Sequence, residues 1–147
     1  MNNRCILFAR ISSEEQKSGF SLEAQENLLL DYAKEKELKI VKRFVFVESA
    51  KESDKRKIFK DILDYLENHQ DIHLWLVEKT DRITRNFEDF TLIDKMWIRK
   101  SEENKIIFVK QNLVVHKNSL AHEKLLWGFH TLLANHTINN SSDEIKK

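Results

Sequence analysis

The stretch Phe8-Ala9-Arg10-Ile11-Ser12-Ser13-Glu14-Glu15-Gln16 decides how the chain is read. It ends an apolar run, Arg4 to Ile11, of the kind that fills a strand buried on both faces. It then turns polar at once, with one arginine and two hydroxyls at the turn. Two later segments repeat the layout. Glu48-Ser49-Ala50-Lys51, leading on to Arg56, follows a second apolar run, Ile40-Val41 and Phe44 to Val47. Asp81-Arg82-Ile83-Thr84-Arg85 follows a third, Ile72 to Val77. A fourth apolar run is Ile106 to Val109.

Helical patterns separate these runs. Ser21 reads as an N-cap with Glu23 in the first turn, and Leu22, Leu28, Leu29, Tyr32 and Ala33 keep helical spacing to about Lys36. Glu48 to Lys57 reads as a charged loop, after which Ile58, Phe59, Ile62, Leu63 and Leu66 form one apolar stripe. Asp81 to Asn86 reads as an exit turn. Phe87, Phe90, Ile93, Asp94 and Trp97 then share a helical face, with Asp94 its polar outlier. Ser119 can cap a further helix carrying Leu125, Leu126, Phe129, Leu132 and Leu133. Ser141-Ser142-Asp143-Glu144 has capping-box spacing, the start of a helix that one turn before Lys147 cannot sustain, so the reading is either a frayed tail or a helix that belongs to a longer chain. The division expected is therefore one domain over 1–138 and the beginning of a C-terminal helix over 139–147.

Alternating strands and helices predict an α/β fold with a mostly parallel sheet of four to five strands flanked by helices. In such sheets ligands bind beyond the carboxyl ends of the strands. All three polar turns follow strands, so they belong on that one edge.

Composition narrows the function. The chain of 147 residues suits one domain, and 41% hydrophobic residues, with nine Phe and three Trp, fill a core. No run nears the roughly 20 apolar residues that span a bilayer, and Arg10 interrupts the only N-terminal candidate for a signal peptide. The lone Cys5, inside a strand-like run, reads as a small buried hydrophobe, and the cytoplasm is the default compartment. Net charge is only +1, so bulk electrostatics do not announce a nucleic-acid binder. The arginines are more informative. Four of seven (Arg10, Arg56, Arg82, Arg85) lie in the three turns, with Asp81 and Glu48 offsetting part of their charge. Converging arginines suit phosphate, whose oxygens match the guanidinium fork. No His-Glu-x-x-His or Cys-x-x-Cys context surrounds the six histidines, so neither metal nor cofactor is expected.

Ser12 is the nucleophile candidate by position, in a loop just past Arg10. Phosphoryl transfer needs mainly positioning and charge stabilisation, which arginines supply. Each motif alone has a plainer reading. A serine in a strand-to-helix loop is most simply a loop or cap residue, and Asp-Arg-x-x-Arg also suits a surface ion pair. Gln16 and Gln25 read as polar loop and helix-surface residues.

Together the motifs resemble the catalytic domain of the serine recombinases, the resolvase/invertase and large serine integrase family. The resemblance spans Ala9-Arg10-Ile11-Ser12-Ser13-x-x-Gln16, Ser21-Leu22-Glu23-Ala24-Gln25, Glu48-Ser49-Ala50-Lys51 with Arg56, and Asp81-Arg82-Ile83-Thr84-Arg85-Asn86. It implies a site-specific DNA recombinase. Ser12 attacks a DNA phosphodiester, leaving a 5′-phosphoserine and a free 3′-hydroxyl, and synapsed subunits exchange and religate strands without metal or ATP. It further implies that Arg10, Arg82 and Arg85 surround the phosphate and that Arg56 helps bind it. Asp81 would orient an arginine or move a proton, while Gln25, Ser49, Lys51 and Gln16 support the site. The implied partners are DNA and further copies of the chain, as dimer and synaptic tetramer, and the implied origin is a bacterial, phage or other mobile element. The alternative is a truncated, non-cutting accessory relative that pairs with a full-length recombinase. Three positions depart from the family pattern: Ala50 where glycine is frequent, Lys57 where proline is frequent, and Tyr65 near the place of a helix lysine.

Overall fold

The computed structural model describes residues 3–19, 21–48, 52–83 and 87–118, with backbone alone at 48, 52–56 and 87–90. Strand β1 (Arg4–Ser12) is interior to the sheet, and every residue from Cys5 to Ile11 is buried. It pairs in parallel with β2 (Lys39–Glu48) on one side and β3 (Leu74–Val77) on the other. Strand β4 (Lys105–Phe108) pairs in parallel with β3, and β5 (Leu113–His116) closes the sheet antiparallel to β4. The order is β2-β1-β3-β4-β5.

Helices α1 (Ser13–Lys17) and α2 (Leu22–Glu35) join β1 to β2, and α3 (Glu52–Glu67) joins β2 to β3. Helices α4 (Thr80–Ile83) and α5 (Phe87–Met96) join β3 to β4. The chain steps outward from β1 to β2, then back past β1 to β3. Crossovers of one hand must then lie on opposite faces of the sheet. The two cores show this. Cys5, Leu7 and Ala9 face Leu29 and Ala33 of α2. Ile6 and Phe8, one residue out of phase, face Ile62, Leu63 and Leu66 of α3 and Ile93 of α5, joined by Trp75 and Trp97. Side chains such as Phe8 and Trp75, fully withdrawn from water, contribute about 1.5–3 kcal/mol each. Burial also lifts the Cys5 thiol to about 11, so it packs as a small apolar group.

Four local differences from the sequence reading have physical causes. The polar stretch after β1 is a helical turn, because Ser12 caps it and Glu15 completes a capping box. Helix α3 begins at Glu52, inside the stretch read as a charged loop, because its first turn extends a helix whose apolar stripe starts only at Ile58. The exit of β3 winds into α4 rather than an open turn. Strand β2 continues unbroken through Lys42 and Arg43, because it is the edge strand of the sheet and both side chains reach water there. Asp94 does lie on the buried face of α5, where Arg99 pairs with it at 2.9 Å. The Ser119 cap, the Ser141 capping box and the 138/139 division lie outside the described residues.

Candidate active site

The sheet reverses its direction of travel between β1 and β3, and the crevice beyond their carboxyl ends is where such folds bind ligands. Here β3 ends early. Val77 lies opposite Phe8, so β1 runs four residues further with a strand on the β2 side only. Residues 78–83 fold over the space left, and Gln25 fills the rest. Its carboxamide oxygen accepts from the Arg10 N–H at 2.9 Å, and its Nε2 donates to the Arg10 carbonyl at 3.1 Å. The side chain thus acts as a one-residue strand against Arg10. Gln25 is 4% exposed, so the helix-surface reading of it is corrected: α2 turns it inward to pair an otherwise orphaned backbone.

The Arg10 guanidinium crosses to α4. Nε donates to the Arg82 carbonyl at 2.7 Å and Nη2 to the Asp81 carbonyl at 2.8 Å. Asp81 therefore holds Arg10 through its main chain. Its carboxylate points elsewhere, half-exposed and 3.7 Å from Lys79 Nζ. Arg82 is buried between two acids. Its Nε donates to Glu78 Oε1 at 2.9 Å, and its Nη1 to both oxygens of Glu15 at 2.8 and 2.6 Å. Burial alone would lower the Arg82 pKa, but the bonds to Glu78 and Glu15 and their charges raise it above its ordinary value. Burial likewise pushes the Glu15 carboxyl up. The Arg82 hydrogen bonds and charge, with the Ser12 N–H, outweigh that and hold it below its ordinary 4.5.

Ser12 joins the same network. Its Oγ accepts from the Glu15 N–H at 3.1 Å, and Glu15 Oε1 accepts from the Ser12 N–H at 3.2 Å. The exit of β4 braces the exit of β3: the Lys110 N–H donates to the Glu78 carbonyl at 2.9 Å, and the Thr80 N–H donates to Gln111 Oε1 at 3.0 Å.

The structure thus gathers Ser12, Arg10, Arg82, Gln25 and the Asp81 main chain. Gln16 stands exposed on α1, outside this network among the described residues. Arg85, Ser49, Lys51 and the Arg56 side chain lie outside the described residues. Two acids missing from the sequence reading change its charge count. Glu15 and Glu78 neutralise Arg82, so the described cluster is balanced rather than cationic. Both left a signal. Ser12-x-x-Glu15 is a capping-box spacing, and Glu78 stands four residues before Arg82, the spacing of an acid–arginine pair. Gln111 left none. Among the described residues no three His, Cys, Asp or Glu gather to hold a metal ion, and no helix is long and apolar enough to cross a membrane.

Comparison with known proteins agrees with this architecture. The chain has the fold of the N-terminal catalytic domain of TP901-1 integrase, at 20% identity and TM-score 0.65, covering 98% of this chain and 99% of that one. It also has that of a resolvase family site-specific recombinase from Streptococcus pneumoniae, at 18% identity and TM-score 0.62, covering 96% and 93%. A third is the C-terminal catalytic domain of ISC1926 TnpA, an IS607-like serine recombinase, at 22% identity and TM-score 0.55, covering 98% and 99%. No curated protein matches the chain. The family model for the resolvase N-terminal domain matches residues 5–147, so the chain belongs to the resolvase family of serine recombinases, whose catalytic domain it carries.

Proposed function

We propose that this domain catalyses site-specific DNA recombination with Ser12 as nucleophile. The Ser12 oxygen forms a bond to a DNA phosphorus as the bond to the 3′ oxygen breaks. The serine proton leaves, the 3′ oxygen gains one, and the 5′ end stays on the protein as a phosphoserine. Reversal by a 3′-hydroxyl of another strand reseals the backbone. The covalent bond conserves the phosphodiester energy, so no nucleotide cofactor is required.

The observation that carries this reading is the convergence of Ser12 and Arg82 through Glu15 at the switch point of the sheet. Arg10 acts from behind. Its guanidinium is spent on the two α4 carbonyls, so it fixes where Asp81 and Arg82 stand. Arg82 is the residue whose fork would meet phosphate oxygens, with Arg85 and Arg56 adding charge and Ser49 and Lys51 in supporting roles. DNA and further copies of the chain are the partners this chemistry requires, because exchange needs more than one cut end.

The test is covalent attachment. DNA–protein adducts are recovered under denaturing conditions from cells carrying the gene with its flanking DNA. They are expected with the natural sequence and absent with Ser12→Ala. Adducts at the natural level in that variant remove Ser12 from the role.

A further inference from the structure

Glu15 touches both groups that the proposed chemistry needs. Its two carboxylate oxygens take Nη1 of Arg82, and one of them also takes the Ser12 N–H. Its own N–H bonds the Ser12 hydroxyl oxygen. A carboxylate and a phosphate present the same kind of acceptor to a guanidinium. The anion facing Arg82 in this structure is therefore supplied by the chain itself.

The two acids on Arg82 are not equivalent. The Glu78 side chain is 11% exposed and its carbonyl is tied to Lys110, whereas the Glu15 side chain is 30% exposed. Glu15 also rides on a helix of five residues, closed by Gly19 at φ +91°, too short to be stable alone. Rotation of one side chain is enough to release Arg82 on that side, and Glu78 would keep the arginine charged and in place. Glu15 is the more exposed of the two partners, so it is the one an incoming anion can reach and replace, acceptor for acceptor.

Resting on the reading of Ser12 and Arg82 above, we infer that Glu15 is an internal stand-in for phosphate. It latches Arg82 and Ser12 in a resting arrangement, and a phosphodiester must displace it before Arg82 can engage. The residue is a positioning residue. It sets when the arginine and the serine become available, and it makes the resting site neutral toward stray anions.

The experiment is phosphate binding by the 147-residue chain, followed by calorimetric titration with inorganic phosphate at fixed ionic strength. Glu15→Gln removes the charge and keeps the cap, because glutamine serves equally at the third position of a capping box. Glu14→Gln makes the same charge change on an exposed neighbour. Glu15→Gln is expected to bind phosphate about five- to tenfold more tightly than the natural chain, with Glu14→Gln within about twofold of it. Equal or weaker binding in Glu15→Gln overturns the latch, as does an equal gain in Glu14→Gln. In the natural chain the carbon-13 resonance of the Glu15 carboxyl must move as phosphate saturates, and this reads the latch even if the variant folds poorly. A resonance that stays still overturns it. Ser12-dependent adducts with no gain in Glu15→Gln would sink the latch alone. The gain without such adducts would sink the nucleophile alone.

Discussion

Arg82 and Arg99 each donate from Nε to a carboxylate oxygen 2.9 Å away, one beyond the carboxyl end of β3 and the other ahead of the amino end of β4. Their settings are opposite. The Arg82 side chain is 7% exposed and its partner Glu78 11%, whereas Arg99 is 67% exposed against 11% for Asp94. Arg99 lies along the surface and covers a buried acid, leaving its own charge in water. Arg82 has been taken almost entirely out of water, with Glu78 nearly buried and Glu15 partly so. Removing a charge from water costs several kcal/mol, and a buried pair regains this only with good geometry. Hydrophobic residues would fill the same space at less cost. A buried arginine at the switch point of the sheet is thus better explained by function than by stability. The covered Asp94 needs only a structural account.

The contrast is open to direct attack. Arg82→Ala leaves Glu78 and Glu15 facing each other with no cation between them, and a loss of about 3–5 kcal/mol in urea unfolding is expected. Arg99→Ala takes a mostly exposed cation from above the buried Asp94, where water can move into its place, and a smaller loss of about 1 kcal/mol is expected. Similar losses at the two positions would mean that burial does not separate the pairs.

How much of this was legible in the sequence differs along the chain. Strand β1 is readable because its apolar run is short, continuous and ends in a polar turn, as suits a strand enclosed on both faces, and all seven residues from Cys5 to Ile11 are buried. The meeting of its exit with that of β3 followed from the alternation of strands and helices. The chemistry at that meeting was less legible, since it turns on which way single side chains point. The capping-box spacing at Ser141–Glu144 also occurs at Ser12–Glu15, where the plainer reading of Ser12 as a cap names no partner and leaves Glu15 out. Nothing local could show that Glu15 would continue across to Arg82, 67 positions away. Gln25 is similar. Helix periodicity gives its angle around α2, but its burial depends on β3 stopping opposite Phe8.

Gln25 offers the next test, intermediate in size. With Gln25→Ala both the N–H and the carbonyl of Arg10 lose a partner in a place water barely reaches. A loss of about 2 kcal/mol is expected, more than for an exposed polar residue of α2 such as Glu23. The turn carrying Ser12 begins two residues later, so amide exchange at Ser12 and Ser13 should quicken in the same variant. Protection unchanged there would show that the end of β1 does not need its side-chain strand.

The smallest effect separates the two acids that share Arg82. Glu15 is held below its ordinary 4.5, so near that value the folded chain binds fewer protons at this site than the unfolded chain. Its stabilising share is complete above about pH 4.5, where the carboxylate is ionised in both states, and it is lost as the pH falls through the lowered value. Glutamine at this position does not titrate. The stability difference between the natural chain and Glu15→Gln should stay constant, at about 1 kcal/mol, above about pH 5, and should shrink as the pH is lowered beyond that. Urea unfolding of both chains between about pH 6 and pH 3 measures it directly. A difference that held constant to the acid end would mean that Glu15 is not the carboxylate Arg82 keeps ionised, and the weight of the pair would shift to the deeper Glu78.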